Sequence, residues 1–240
     1  MNAIEDTPYG HGWQAIAARF EKPRAVLCVS AHWVTDGVKL TGNAMPRTIH
    51  DFGGFPPALH AVQYPAPGDP MLALEVAGLL SDYGAEVDES WGLDHGAWSV
   101  LKWLYPNADV PVVQLSLDAR RSPQTHYEIG KALAPLRDDN VLILGSGNIV
   151  HNLRHWRDEE VQPWVTAFDA FIAERIAARD DAAVIDYLSN RDAAIAAPDW
   201  DHFTPLLYVL GASAGEKTES FNQLYIPGIS MTSNAFGLAA

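Results

Sequence analysis

VLCVSAHWV, residues 26–34, is the stretch that decides the reading of this chain. Apart from His32, its first eight residues are apolar or small, the pattern of a parallel strand buried on both faces. Ser30 and His32 stand at its C-terminal end. In an open α/β sheet, ligands collect beyond the carboxyl ends of the strands. A lone buried imidazole is more often a hydrogen-bonded core residue, so His32 acquires meaning only from what else arrives beside it.

Two further runs, 111–117 (PVVQLSL) and 141–146 (VLILGS), read as strands of the same kind. Helical patterns lie between and after them, at 70–82, 96–104, 123–136 and 163–178. Residues 203–211 (FTPLLYVLG) are apolar almost all round, which predicts a buried helix. FNQLY (221–225) and ISMTS (229–233), separated by IPG, predict a hairpin or two sheet strands. No linker or repeat interrupts the alternation of strand and helix. The expectation is one α/β domain over residues 1–240, with a central mixed sheet and helices on both faces. Residues 43–68 differ, holding five prolines and three glycines with aromatics between them. A long loop of this kind tends to be functional.

Composition narrows the function. The chain has 240 residues, 16 Lys+Arg against 30 Asp+Glu and a net charge of −14. Such a surface repels phosphate backbones and anionic membranes, so neither nucleic acid nor a membrane is expected as a partner. No apolar run reaches a membrane span, and MNAIEDTPYG has no secretory pattern, so the expected location is cytoplasmic. The single cysteine, Cys28, excludes an internal disulfide and four-cysteine zinc sites and reads as a small core residue. No heptad pattern announces an oligomer.

The nine histidines carry the chemistry. His32 ends a strand, His95 opens a helix in GLDHGAW, His151 follows a strand and a small-residue turn in LILGSGNIVHNLR, and His202 precedes the buried helix in DWDHF. All four sit at ends of core elements, where neutral imidazoles would converge as ligands for a divalent metal. His50 lies in the aromatic loop. His11, His60, His126 and His155 read as exposed. A nucleophilic serine is disfavoured because G-x-S-x-G is absent, and G-x-G alone is too little for a dinucleotide site.

In order along the chain, SAHW (30–33), TIHDFGGFP (48–56), YPAPG (64–68), DHGAW (94–98), VQLSLD (113–118), SGNIVHNLR (146–154) and HFTPLLYVLGA (202–212) resemble the class III, LigB-type extradiol ring-cleavage dioxygenases. The 4,5-DOPA branch is the most similar. The resemblance implies a LigB-like fold, a catechol and dioxygen as reactants, and non-haem Fe(II) as the cofactor, with Zn(II) as an ion that the same ligands accept. It implies His32 and His202 as metal ligands, His151 as a third ligand in a resting, zinc-loaded form or as the acid/base group during turnover, and His95 as the assisting base. His50, Asp51, Phe52 and His95 would form the substrate pocket.

The resemblance also implies a strand ending in HGSP ahead of MNAIED, carrying one more ligand histidine. These 240 residues do not contain it. His11 stands in a different context and is not read as its replacement. A start placed late and a natural variant with an impaired site both remain open. Two other functions use the same histidines: a zinc hydrolase with Asp94 or Asp201 as base, and a non-catalytic metal-binding or protein-interaction member.

Overall fold

The computed structural model describes residues 3–238, so Met1 and Asn2, the start of MNAIED, lie outside the described residues. The chain opens with α1 (Pro8–Ala17), capped by the Thr7 side chain, and continues into β1 (Ala25–Thr35) and β2 (Lys39–Thr41). The aromatic loop holds one short helix, α2 (Pro57–His60), and leads to α3 (Pro70–Leu79) and β3 (Glu86–Asp88). Next come α4 (His95–Leu104), β4 (Val112–Asp118), α5 (Pro123–Leu133) and β5 (Val141–Ser146). The second half is largely helical: α6 (Pro163–Ala177), α7 (Asp181–Ile185), α8 (Ala193–Ala196) and α9 (Thr204–Ala212). The tail forms β6 (Thr218–Phe221), β7 (Tyr225–Ile226), β8 (Ile229–Ser230) and β9 (Ser233–Phe236).

The main sheet has five strands in the order β3-β2-β4-β1-β5. β1 runs parallel to β4 and β5, while β2 runs parallel to β3 and antiparallel to β4, so the sheet is mixed. Alternation along β1 sends Ala25, Leu27 and Val29 to one face and Val26 and Cys28 to the other. The first face packs under α3, α5 and α9. The second packs under α1, α4 and the aromatic loop, with Trp98 and Tyr64 as its largest buried side chains. A third apolar cluster joins α6, α7 and α8 to the inner side of α9. The tail folds as nested antiparallel pairs, β7–β8 inside β6–β9.

The expected single α/β domain with helices on both faces is what the chain forms. One expectation fails: His126 is 1% exposed, not solvated. It shares a helix face with Ile129, Gly130 and Leu133, and its Nδ1 lies 2.9 Å from the Tyr208 hydroxyl.

Candidate metal centre

Four histidines meet at the C-terminal ends of β1 and β5. Ring centroids of His32 and His95 lie 3.9 Å apart, and those of His32 and His202 lie 5.0 Å apart. His151 stacks on His202 at 3.5 Å, with the planes 4° from parallel.

Each is delivered by a local device. The register between β1 and β4 breaks between Val29 and Val34, so Ser30–Trp33 bulges out of the ladder. Bulges re-aim side chains beside sites, and this one turns His32 toward the sheet mouth. His95 is the first residue of α4, whose N-cap Asp94 accepts from the Ala97 amide at 3.0 Å. Gly96 lets that helix start abut β1: a Cβ there would stand 2.5 Å from Ser30 Oγ and 2.8 Å from His32 Cδ2. After β5, Gly147 passes so near the chain before α9 that a Cβ would lie 2.2 Å from the His202 carbonyl. The same turn donates the Asn148 amide to that carbonyl at 2.8 Å.

Asp51, from the aromatic loop, joins the histidines. Its Oδ1 accepts the His95 amide at 2.9 Å. Its Oδ2 lies 3.3 Å from His32 Nδ1 and 3.0 Å from His95 Nδ1. The His95 Nδ1 is buried and off the hydrogen-bonding direction despite that distance. His32, Asp51 and His95 present donor atoms within 4.8 Å of one another, close enough for one ion to be shared. Asp51, expected in the substrate pocket, is thus also placed as a ligand candidate.

The electrostatics suit a cation. Burial, reinforced by His95 and His202, pulls His32 down to about 3. Burial, with His202 and His32 beside it, does the same to His151, also to about 3. Burial pushes the Asp51 carboxyl up, but the His95 amide and the nearby His95 and His32 rings outweigh it and hold the group below its ordinary range. At neutral pH His32 and His151 are therefore neutral, with free lone pairs, next to a carboxylate. Imidazole and carboxylate donors of this kind fit a divalent first-row metal such as iron or zinc.

Beside the cluster stands an aromatic wall. The Phe52 ring contacts His95 at 5.1 Å, Phe55 at 5.4 Å and His60 at 4.8 Å. His50 Nε2 is engaged with the Val62 carbonyl at 2.9 Å, and its ring packs on Phe52 and Trp98, so it buttresses the wall. Trp98 pins the loop through its Nε1 to the Ile49 carbonyl at 2.8 Å. Trp33 is buried and stacked on Trp91 rather than on the Phe52 ring. Asp94 also faces inward: its oxygens accept from Ser30 Oγ and Gln114 Nε2, each at 2.7 Å. Fully buried, it braces β1 and β4 against the start of α4.

A sequence profile described as the catalytic LigB subunit of aromatic ring-opening dioxygenase matches residues 4–237. The chain belongs to the LigB family. It is 42% identical over 224 residues to a protein named 4,5-DOPA dioxygenase extradiol from Escherichia coli K12, covering 90% of this chain and 83% of that one. It is 40% identical over 212 residues to a protein of the same name from Beta vulgaris, covering 83% and 76%. The crystal structure of an uncharacterized Escherichia coli K12 protein superposes with a TM-score of 0.84 at 35% identity, covering 96% of this chain and 93% of that one. This LigB family member is therefore an extradiol ring-opening dioxygenase by kinship. Among the described residues no helix is long and apolar enough to cross a membrane.

Proposed function

We propose that this chain cleaves a DOPA-like catechol next to its diol, using dioxygen and a non-haem Fe(II). The observation that carries the reading is the convergence of His32, His95, His151 and His202 with Asp51 at the strand ends. The names of its relatives point to the same substrate class. In this reading His32 and His202 hold the metal, with Asp51 and His95 alongside; His151 is a ligand only in a resting, zinc-loaded form and is free for proton transfer during turnover. Bound there, Fe(II) would supply one place at which catechol and dioxygen are both activated.

The chain's own residues do the rest. Phe52 offers a flat apolar face to a planar ring and excludes water from it. His151, neutral at pH 7 because it is buried among imidazoles, accepts a catechol proton and later returns it. His95, its Nδ1 beside Asp51, assists at the opposite side of the substrate. Holding both reactants in one fixed geometry is the main protein contribution.

The expected additional strand belongs to the same proposal. Among the described residues β5 pairs only with β1, leaving its other edge open. Yet β5 is apolar on both faces, with Val141 and Ile143 in one cluster and Leu142 and Leu144 packed on the other. That is the composition of an interior strand; exposed edges usually carry charge or proline. A cavity of about 310 Å³ runs along this edge toward β9, lined by Trp13, Leu142, Leu144 and Phe236. It touches His202 but none of the other three histidines, so we read it as a strand slot, not as the substrate pocket. A strand seated there would end near His202 and add a donor to the centre.

The test is to load the 240-residue chain with Fe(II) under anaerobic conditions, add L-DOPA or a simpler catechol, and admit oxygen. Oxygen uptake with a yellow ring-opened product is the expected result. A version extended upstream through HGSP should bind metal more tightly and turn over faster. Absence of uptake in both versions would overturn the proposal.

A further inference from the structure

A buried carboxylate lies outside the histidine cluster, and no step above uses it. Asp169, in the middle of α6, is 1% exposed. Three hydroxyls donate to it: Ser230 Oγ to Oδ1, and Tyr225 Oη and Thr232 Oγ1 to Oδ2, each of the latter at 2.9 Å. All three donors come from the β7–β8 hairpin or the two residues after it. A carboxylate is acceptor-only and can take all three at once.

The same hairpin grips the segment that carries His151. The Ser230 amide donates to the Val150 carbonyl at 3.1 Å, and the Asn152 amide donates to the Gly228 carbonyl at 2.8 Å. His151 itself forms a β-bridge with Ile229. Asn148 Nδ2 adds a bond to the Ser230 carbonyl at 2.8 Å. On its other side, the His151 amide donates to the Ala196 carbonyl at the end of α8, at 2.9 Å. His151 is thus clamped between a helix end and a hairpin, and the hairpin is moored by the Asp169 carboxylate, with Gln162 Oε1 accepting the Gly228 amide at its turn at 3.1 Å.

We propose that Asp169 is a positioning residue for His151: by fixing the depth and register of the hairpin, it sets the stack of His151 on His202. Stability alone does not explain a carboxylate here. Burying a charge is costly, and an apolar side chain of similar size often serves packing as well or better. What an apolar residue lacks is a fixed set of acceptor directions. The proposal concerns the placement of His151, and only its activity readout rests on the dioxygenase reading.

Two variants test it, Asp169→Leu and Asp169→Asn. Ring resonances of His151, followed in the metal-free protein with labelled histidine, should move in both variants, less in the Asn variant, which keeps one acceptor oxygen. Those of His126 should stay in place. In the Fe(II)-loaded enzyme, kcat should fall about 10- to 100-fold in Asp169→Leu, the scale on which outer partners of a site act, with the catechol KM nearly unchanged. Adding Asp169→Leu to His151→Ala should cost nothing further in kcat. Unmoved His151 resonances, or an equal further loss in the His151→Ala background, would overturn the proposal. If the Leu variant does not fold, the Asn variant decides by the same resonances. If neither the parent protein nor the version extended through HGSP shows oxygen uptake, the dioxygenase reading fails, and the resonances still decide the role of Asp169.

Discussion

His32 and His126 are both buried imidazoles pulled well below their ordinary protonation range, His32 to about 3 and His126 to about 4, chiefly by burial. Their surroundings differ completely. His126 stacks on Trp200 at 5.8 Å and meets the Tyr208 hydroxyl at 2.9 Å, with no second histidine in ring contact. His32 has two imidazoles within 5.0 Å and a carboxylate oxygen at 3.3 Å. A perturbed protonation range therefore does not mark a site by itself. Convergence of several donors at the mouth of a sheet does. His126 belongs to the packing of α5 on α9, and His32 to the proposed metal centre.

The sharpest way to break this contrast is to truncate each histidine. His32→Ala should lower oxygen-dependent turnover at least 100-fold, because a metal donor is lost, while thermal stability changes little. His126→Ala should do the reverse. It leaves the Tyr208 hydroxyl without its buried partner and should cost about 1–3 kcal/mol in urea unfolding, with kcat preserved. Comparable activity losses in the two variants would erase the distinction.

A smaller effect is expected at Gly96, where a methyl group would press on Ser30 and His32. Gly96→Ala should weaken metal affinity about 10- to 100-fold in a titration, without removing any donor. Unchanged affinity would show that the close approach of α4 to β1 does not set the His32 geometry.

The pH dependence sharpens the His126 half of the comparison. In the unfolded chain His126 takes a proton below about pH 6.5; in the fold it resists until about 4. The unfolded state therefore binds more protons across that window, and stability falls as the pH drops through it. Urea midpoints measured from pH 7 to 4 should decline less steeply in His126→Phe than in the parent chain. Identical slopes would contradict the burial of a neutral His126. The smallest effect belongs to Phe52→Ala, which should raise the catechol KM several-fold with a modest change in kcat, since it removes a packing face and no donor.

Much of this was legible in the sequence. The strands at 26–34 and 141–146 announced themselves because they are apolar on both faces, and their histidine-bearing ends followed from strand polarity. β2 and β3 were not legible: at three residues each they are too short for any alternation to show. α1 was hidden by Gly10 and Gly12, which count against a helix, although Thr7 and Pro8 are a start signal once the cap is seen. The burial of His126 was readable in principle, since 126, 129, 130 and 133 share one helical face. Polar neighbours on α5 masked it. Asp169 was beyond reach, because its partners lie 56 to 63 residues downstream and only the tertiary fold brings them to it.

The most direct measurement is a titration of the metal-free chain with Co(II), a spectroscopic stand-in for Fe(II), followed by its visible absorption. One ion per chain is expected in the parent and in His126→Ala, with loss of that signal in His32→Ala. Equal binding in His32→Ala, or none in the parent, would contradict a metal centre built on the converging histidines.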